Sequence, residues 1–286
     1  MRILITGADG QLGRALRSAL ASHDVIACSH RDVDVRDRER VRTVIARAVP
    51  DAVIHTAALT DTARCEREPE LAMAVNAAGT AAVAEAAVQV GARLIAISTN
   101  EVFDGDKGAP YAESDEPRPI NMYGASKREG ERAALAAARG AVVRTSWLYG
   151  NGGTSFVTKL MAVARSGRPL MYVTDEVAAP TSAADLADAI GQLLEHPDAA
   201  GVFHLAGEGE ASRYDWAVEI LRLAGVDGRV DPTTSAELRA AGYEGPRKPA
   251  YSVLANERGR GLGITLRPWR EALAAHMQHV EVRADG

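Results

Sequence analysis

The sequence predicts an α/β fold, a doubly wound parallel sheet with a smaller, interleaved C-terminal cap. Short apolar runs alternate with amphipathic segments along the first half of the chain, which is the order typical of a parallel sheet covered by helices on both faces. A glycine-rich turn follows the first apolar run directly. The 286 residues are enough for one large α/β domain and a smaller unit.

The apolar runs of the first half are bounded by Gly, Pro, Asp or Ser, as buried strands commonly are. They are predicted as strands at 2–6, 25–28, 52–55, 93–98 and 141–145. The segments between them predict helices at 37–49, 69–90 and 122–139. Pro69 suits a first helical turn, while Asn121 and Gly140 suit the two ends of the third helix.

Past residue 150 the alternation is less regular. Strands are predicted at 170–175 and 201–207, helices at 182–195, 212–224 and 268–279, and loops at the Gly- and Pro-rich stretches between them. We expect a cofactor domain over 1–150, rejoined by about 168–207. The cap would then consist of 151–167 and 208–286.

Composition and charge narrow the class of protein. An apolar content of 47% and a charged content of 25% are typical of a soluble globular protein. The net charge is -5 without a dominant basic run, so a nucleic-acid partner is not expected. The N-terminus lacks a secretory pattern, and we expect no apolar stretch near the ~18 residues of a membrane span. Cys28 and Cys65 lack metal-ligand spacing, which predicts reduced thiols, no metal site and a cytoplasmic location.

The glycine-rich turn "GADGQLG" carries Gly7, Gly10 and Gly13 between a strand and a helix. Gly7 permits a tight turn, Gly10 lets a pyrophosphate approach the backbone, and Gly13 allows close helix–strand packing. The helix N-terminus adds unpaired N–H groups and a partial positive charge. This arrangement predicts a Rossmann-type dinucleotide site, the alternative being a strand–helix turn without a ligand.

The end of the second strand bears on the choice of dinucleotide, because an acid there binds the ribose of NAD and a basic group suits the phosphate of NADP. The strand runs into His30 and Arg31, and the first acid, Asp32, lies past its tip. We therefore expect NADPH, with Arg31 on the 2′-phosphate and NADH as the alternative cofactor. Asp34 and Val35 are expected near the adenine. Arg31 as a solvated loop residue remains the other interpretation.

Tyr123 and Lys127 are four residues apart and would share one face of the third predicted helix. The chain has only seven tyrosines and four lysines, so a lysine four residues after a tyrosine would rarely occur by chance. Reduction of a carbonyl needs hydride on carbon and a proton on oxygen, and a free phenol, with a pKa of ~10, exchanges its proton poorly near pH 7. The ammonium of Lys127 is expected to lower that pKa. The alternative is an ordinary amphipathic helix surface.

Together with the glycine turn, "STNEVFDG" (98–105) and "YGASK" (123–127) resemble the extended short-chain dehydrogenase/reductase family. The stretches "VVRTSWLYG", "PTSAADLA", "GVFHLAGEGEASRYDWA" and "KPAYSVL" resemble its dTDP-4-dehydrorhamnose reductase branch in order and spacing, over nearly the whole chain. The resemblance implies an enzyme that reduces the C4 ketone of a nucleotide diphosphate sugar with NADPH. It also implies that the cap is the substrate-binding part.

The resemblance also implies roles for individual residues. Tyr123 would be the acid/base group, Lys127 would hold the nicotinamide ribose, and Thr99 would orient the carbonyl. The expected cofactor contacts are Gly7, Asp9, Gly10, Gln11, Leu12, Gly13, His30, Arg31, Asp34, Val35, Thr56, Ala57, Ala58, Asn76, Tyr123 and Lys127. The expected substrate contacts are Asn100, Glu101, Trp147, Arg213, Arg247 and Lys248. Arg213 and Arg247 suit a diphosphate, and the alternative for each is a solvated surface arginine. The alternative for Trp147 is a tryptophan of the core.

Three positions depart from the pattern of the branch. Asn100 stands in place of Asp, Glu101 in place of Tyr, and Lys248 in place of Arg. These changes suggest a hexose other than 4-keto-rhamnose or a different stereochemistry at C4. "STNEVF" also resembles the "STDEVY" of nucleotide-sugar 4,6-dehydratases, but Asn100 cannot donate a proton as a carboxylic acid can. Glu101 is left as a second acid/base group or a hydrogen-bond acceptor.

Two other functions remain open at this stage. One is an epimerase or isomerase that retains its cofactor, and the other is a regulatory subunit that binds a dinucleotide without catalysis. The presence of Thr99, Tyr123 and Lys127 argues against the second. A homodimer is left open, and no signature of an interface metal is found.

Overall fold

The protein is built on a six-stranded parallel sheet, and the computed structural model describes residues 1–226 and 228–281. The strands of this sheet, numbered in chain order, are β1 (Arg2–Thr6), β2 (Asp24–Cys28), β3 (Ala52–His55), β4 (Arg93–Thr99), β5 (Gly140–Thr145) and β6 (Gly201–His204). They lie in the order β6-β5-β4-β3-β1-β2, and every neighbouring pair is parallel. The five strands predicted for the first half are confirmed. The predicted strand at 201–207 ends three residues early.

Helices cover both faces of the sheet, as the doubly wound prediction requires. The longer ones, numbered in chain order, are α1 (Gln11–Ala19), α2 (Arg38–Ala48), α3 (Gly79–Gln89), α4 (Met122–Leu135), α5 (Phe156–Arg165), α6 (Ala183–Leu194), α7 (Arg213–Leu223) and α8 (Trp269–Glu281). Successive strand residues face opposite sides. Ile3 and Ile5 of β1 therefore pack in the core with α1 and α6, while Leu4 packs in the core with α2 and α3.

Helix α4 begins where the sequence predicts and ends earlier. The side chain of Asn121 caps it by accepting a hydrogen bond of 2.8 Å from a backbone N–H of the first turn. The helix ends at Leu135 rather than at residue 139, and Gly140 is the first residue of β5. A Cβ at Gly140 would lie 2.0 Å from the carbonyl oxygen of Ala134. Gly140 thus serves the close approach of β5 to α4.

The segment predicted as one helix over 69–90 is interrupted. Pro69–Ala72 is a single α-helical turn that Pro69 begins, as expected. Met73–Ala78 is a π-helical turn, and α3 continues to Gln89. A π turn accommodates one extra residue and is frequent near functional sites.

By length and composition, Pro69–Gln89 could also cross a membrane, with a mean hydropathy of 1.5. The expectation that no apolar stretch approaches this length was wrong, because alanine raises the mean hydropathy even where polar residues are interspersed. Half of the window is buried inside the fold, where Val83 and Ala87 belong to the core. This burial is typical of a core helix, so the span is weak evidence for a membrane.

A separate apolar cluster joins helices of the second half of the chain. Leu160 of α5, Ile220 of α7 and Leu273 of α8 are buried together in it. The strand Leu170–Val173 pairs in parallel with Val230–Thr233 outside the central sheet. The predicted division assigns the first of these strands to the cofactor domain and the second to the cap. That division stays a prediction.

Cys28 and Cys65 are both free and buried. Burial raises the pKa of the Cys65 thiol to about 11, which disfavours the reactive thiolate. Within residues 1–226 and 228–281, no group of three or more His, Cys, Asp or Glu side chains is arranged to hold a metal ion.

Candidate active site

Two adjoining cavities border the turns that follow the central strands. The larger has a volume of about 710 Å³ and lies between the sheet and the helices of the second half. The smaller has a volume of about 270 Å³ and shares Gly10, Thr56 and Ala58 with the larger one. We call the larger the cleft and the smaller the adenosine cavity, after the predicted position of that part of a dinucleotide. The switch in strand order between β1 and β3 is where parallel sheets commonly bind ligands.

The glycine turn lies where the two cavities meet. Gly7 has a φ of 69°, and a Cβ there would lie 2.7 Å from the backbone nitrogen of Ala57. A Cβ at Gly13 would lie 2.4 Å from the carbonyl oxygen of Gly7. A Cβ at Gly10 would meet only that same oxygen, at 3.2 Å, although Gly10 lines both cavities. Packing therefore explains Gly7 and Gly13, whereas Gly10 is best explained by a ligand that approaches the backbone.

The adenosine cavity contains most of the residues predicted for that end of the cofactor. Its lining residues are Gly7, Asp9, Gly10, His30, Val33, Asp34, Val35, Thr56, Ala57, Ala58 and Val75. Asp32 is absent from the lining, since its carboxylate accepts hydrogen bonds from the backbone N–H (2.8 Å) and hydroxyl (2.6 Å) of Ser29. Arg31 is exposed and does not line the cavity. Its contact with a 2′-phosphate stays a prediction.

Asp34 brings an ion-paired carboxylate to this cavity. The guanidinium of Arg36 donates to both of its carboxylate oxygens, at 2.9 and 3.0 Å from Nε. This contact lowers the pKa of Asp34 to about 2. With its charge paired in this way, Asp34 repels an anionic ligand less than an unpaired carboxylate would.

Asn76 was expected to contact the cofactor, yet it lines neither cavity. It is fully buried in the π turn, where its Oδ1 accepts from the backbone N–H of Leu59 at 2.8 Å. Its Nδ2 donates to the carbonyl oxygen of Leu59 and to the hydroxyl of Ser126, both at 3.0 Å. Asn76 therefore connects the loop after β3 to α4.

Thr99, Tyr123 and Lys127 line one wall of the cleft, as predicted. Thr99 ends β4, and the other two lie on the first turns of α4. The close approach of α4 depends on Gly124, where a Cβ would lie 2.0 Å from the carbonyl oxygen of Glu101. The hydroxyl of Thr99 donates to Oδ1 of Asn100 at 3.3 Å, and it lies near enough to the phenol of Tyr123 to lower its pKa.

The electrostatics of Tyr123 differ from the prediction. Burial raises the pKa of its phenol above the ordinary value, and the Glu101 carboxylate raises it further, while the hydroxyl of Thr99 lowers it. The expectation of a net lowering of this pKa was wrong for the chain by itself, because desolvation and Glu101 outweigh what stabilises the phenolate. Burial lowers the pKa of Lys127 to about 8, and Glu131 partly opposes that shift.

Glu131 joins the helix of Tyr123 and Lys127 to two strands. Its Oε1 accepts from the hydroxyl of Ser98 at 2.6 Å, and its two oxygens accept from Arg144 at 2.7 Å each. On its other side, Arg144 lies 3.3 Å from Nε2 of His204, whose pKa burial lowers to about 3. A neutral His204 can accept that hydrogen bond without opposing the charge of Arg144.

Two of the predicted substrate contacts bind each other. Nζ of Lys248 donates to both carboxylate oxygens of Glu101, at 2.8 and 2.9 Å, and Nδ2 of Asn121 donates to the same carboxylate at 2.8 Å. Nδ2 of Asn100 donates to the hydroxyl of Ser252 at 2.7 Å. Arg247 is exposed and does not line the cleft, so its predicted role lacks structural support.

Trp147 and Arg213 form the opposite wall of the cleft. The guanidinium carbon of Arg213 lies 3.6 Å from the ring centroid of Trp147, and the nearest carboxylate, that of Glu176, is 3.9 Å away. Burial lowers the pKa of Arg213 to about 10. Trp147 has a φ of 42° and stacks on Trp216 with ring centroids 5.6 Å apart. It is therefore both a cleft residue and a packed aromatic.

Sequence reasoning missed part of this lining. The unpredicted residues are Thr60, Thr62, Thr145, Thr154, Ser155, Phe156, Lys159, Trp216 and Tyr243, together with Ile97, Ser98 and Leu148. Several lie on helices and loops of the second half, where no local spacing marks them as neighbours of the glycine turn. Thr145 was detectable, because it ends the predicted strand 141–145, and Thr99 directly follows the predicted strand 93–98.

Comparison with known proteins identifies the family. The model of the RmlD substrate binding domain matches residues 1–282. The chain belongs to this family. It is 41% identical over 280 residues to the dTDP-4-dehydrorhamnose reductase of Mycolicibacterium smegmatis, covering 95% of this chain and 84% of that one. It is 40% identical over 278 residues to the dTDP-4-keto-6-deoxy-D-glucose reductase of Streptomyces niveus, covering 95% of each.

A solved member of the RmlD family also has the same fold. The dTDP-4-dehydrorhamnose reductase of Bacillus anthracis, in complex with NADP, has a TM-score of 0.92 and 34% identity. The match covers 97% of this chain and 99% of that one. The predicted family and fold class are confirmed.

The residues that line the cleft of the present protein fit a dinucleotide. Gln11 and Thr145 line the cleft, and the carboxamide oxygen of the first and the hydroxyl of the second are buried without a hydrogen-bond partner among the described residues. Buried polar atoms are rarely left unpaired in native proteins. A ligand with hydrogen-bonding groups along its length, next to a helix N-terminus and Gly10, would satisfy them.

Proposed function

We propose that the protein reduces the C4 ketone of a nucleotide-linked deoxysugar with NADPH. The observation that carries the proposal is the convergence of Thr99, Tyr123 and Lys127 on a cleft that the glycine turn also borders. It is supported by 40–41% identity, over nearly the whole chain, to reductases of dTDP-linked 4-keto sugars.

Bound NADPH would supply the hydride, and the residues of the chain would position the ketone and supply the proton. The raised pKa keeps the phenol of Tyr123 protonated near neutral pH, which suits a proton donor in the direction of reduction. Thr99, which lines the same cleft as that phenol, would orient the ketone oxygen toward it. Lys127, with a pKa of about 8, is mostly ionised near pH 7 and would stabilise the phenolate that remains.

The cap side would hold the nucleotide diphosphate. Arg213 presents its planar guanidinium to the cleft, with Glu176 beyond hydrogen-bonding distance at 3.9 Å. A diphosphate is a suitable partner for such a group. Lys248 also faces the cleft, but it would have to share its charge between the diphosphate and Glu101.

Glu101 is best explained as a hydrogen-bond acceptor near the sugar. Both oxygens of its carboxylate already accept hydrogen bonds from Lys248, and one of them also accepts from Asn121. We therefore favour its acceptor role over the second acid/base role. A carboxylate here prefers a sugar that presents a hydroxyl at this point.

The test is an assay of purified protein with NADPH and two substrates, dTDP-4-dehydrorhamnose and dTDP-4-keto-6-deoxy-D-glucose. We expect one of them to be reduced with an equal loss of NADPH, followed by absorbance, and the C4 configuration of the product to be readable by NMR. Turnover without net oxidation would instead indicate an epimerase. Tight NADPH binding without turnover of any dTDP-, UDP- or GDP-linked keto sugar would indicate a regulatory subunit and overturn the proposal.

A further inference from the structure

We propose that Thr145 binds the carboxamide of the nicotinamide, as a cofactor contact additional to Tyr123 and Lys127. The inference deepens the proposed function and rests on it only for the use of NADPH.

Thr145 is placed beside Thr99 by the register of the sheet. Each ends its strand, β5 and β4 respectively, and the two are paired residues of adjacent parallel strands. Paired residues of parallel strands direct their side chains to the same face, ~4.8 Å apart. Both threonines line the cleft. The two side chains therefore border the same part of it.

The hydroxyl of Thr145 is unpaired, in contrast to its neighbours. Thr145 is 6% exposed, and its Oγ1 has no hydrogen-bond partner in the part of the chain that the structure describes. The hydroxyl of Ser146 donates to the carbonyl oxygen of Ala179 at 2.6 Å, and that of Thr99 accepts from the backbone N–H of Glu101 at 3.2 Å. Valine has the same shape and suits a strand equally well. A buried hydroxyl without a partner therefore indicates a ligand.

The order of the strands favours the nicotinamide as that ligand. The adenosine cavity follows β1 and β2, whereas Thr145 ends β5, four strand spacings or ~19 Å from β2. An extended dinucleotide that begins at β2 and crosses the glycine turn reaches β4 and β5 with its nicotinamide end.

The chemistry of the two groups also matches. A carboxamide offers a carbonyl oxygen and an NH₂ group, and a hydroxyl can both donate and accept. Thr145 can therefore pair with either end of the carboxamide. A contact here would fix the rotation of the nicotinamide ring relative to Thr99 and Tyr123.

The test compares Thr145→Val with Thr145→Ser in the full chain. Dissociation constants are measured by calorimetry for NADPH and for 2′-phospho-ADP-ribose, which is the same dinucleotide without its nicotinamide. We expect Thr145→Val to weaken NADPH about tenfold, as for one lost hydrogen bond, and to leave 2′-phospho-ADP-ribose within about twofold. Thr145→Ser should retain the affinity for NADPH. The melting temperature of Thr145→Val without ligand should equal or exceed that of the parent, because no protein hydrogen bond is lost.

Thr181→Val is the matched control. Thr181 is buried outside the cleft lining, and its hydroxyl accepts from the backbone N–H of Gly207 at 3.1 Å. It should lower the melting temperature and leave NADPH affinity unchanged. Three results for Thr145→Val would overturn the assignment: unchanged NADPH affinity, equal weakening of both ligands, or an effect confined to the KM of the sugar. The binding measurements need no sugar. A failure of the reductase proposal would appear only in the turnover assay, and a failure of the Thr145 assignment would appear in the binding constants.

Discussion

Glu131 and Arg144 form an ion pair with two hydrogen bonds of 2.7 Å, and both side chains are 1% exposed. The pair joins α4 to β5, and the hydroxyl of Ser98 extends the connection to β4 at the residue before Thr99. The two elements that carry the candidate catalytic groups, α4 and β4, are thus held to β5 at one carboxylate. Removing one partner of a buried ion pair typically costs about 3–5 kcal/mol, because the other charge is left buried.

Glu131→Gln should therefore have two effects. The free energy of unfolding should fall by roughly 3 kcal/mol, and the pKa of Lys127 should fall below about 8, because Glu131 raises it. Denaturant titration measures the first, and the pH dependence of kcat/KM measures the second. Glu129→Gln is the control, since Glu129 lies on the same helix but pairs with Arg132 in a more exposed position. If kcat/KM of Glu131→Gln declines on the alkaline side at the same pH as in the parent, the carboxylate stabilises the fold and does not affect the pKa of Lys127.

The pKa of Lys127 sets the second prediction. Activity should decline as the pH rises through about 8, because the ammonium is lost there. Stability should change in the opposite direction. The unfolded chain keeps this proton up to the ordinary pKa of 10.5, whereas the folded chain loses it near pH 8. Between these pH values the unfolded chain therefore binds more protons, and the free energy of unfolding increases as the pH rises. Lys127→Met should remove that contribution. If the stabilities of both proteins change in parallel over this window, Lys127 does not titrate near 8.

Tyr123→Phe should lower kcat by about 10²–10⁴ while leaving NADPH affinity nearly intact, because it removes only the proton donor. Steady-state kinetics and calorimetry measure the two effects. Tyr243 also lines the cleft and is 50% exposed, so Tyr243→Phe is the control and should stay within a few-fold of the parent. Equal kcat in Tyr123→Phe and the parent would remove the proton-donor assignment.

Arg31→Glu should raise the KM for NADPH by about tenfold or more and leave that for NADH nearly unchanged, because a carboxylate repels the 2′-phosphate and suits a free ribose hydroxyl. Arg47→Glu makes the same change of charge at an exposed position on α2 and should alter neither value. A constant NADPH/NADH ratio in Arg31→Glu would assign the recognition of the phosphate to another group, such as His30.

Features encoded locally were predictable from the sequence. The central strands are recognisable because both faces of a parallel sheet are buried, which makes each strand a continuous apolar run. The glycine turn and the spacing of Tyr123 and Lys127 are likewise properties of a few consecutive residues. For this reason Gly7, Gly13, Thr99 and both helix residues lie where the sequence analysis expects them.

Features that depend on distant contacts were not predictable. Glu101 and Lys248 are 147 residues apart, and no spacing indicates that they neutralise each other. The same limitation explains the error for Tyr123, whose pKa is set by burial and by Glu101, which is not its neighbour in the sequence. The unpaired hydroxyl of Thr145 is visible only when every potential partner around it is known.

The π turn at Met73–Ala78 limits how the helix that contains it can be altered. Deleting one residue there would restore regular α-helical winding, a change that ordinarily favours a helix. It would also rotate the flanking segment by ~100° about the axis and withdraw Asn76 from Leu59 and Ser126. A straighter helix would therefore release the loop after β3 beside the dinucleotide site, and attempts at thermostabilisation should leave this irregular turn intact.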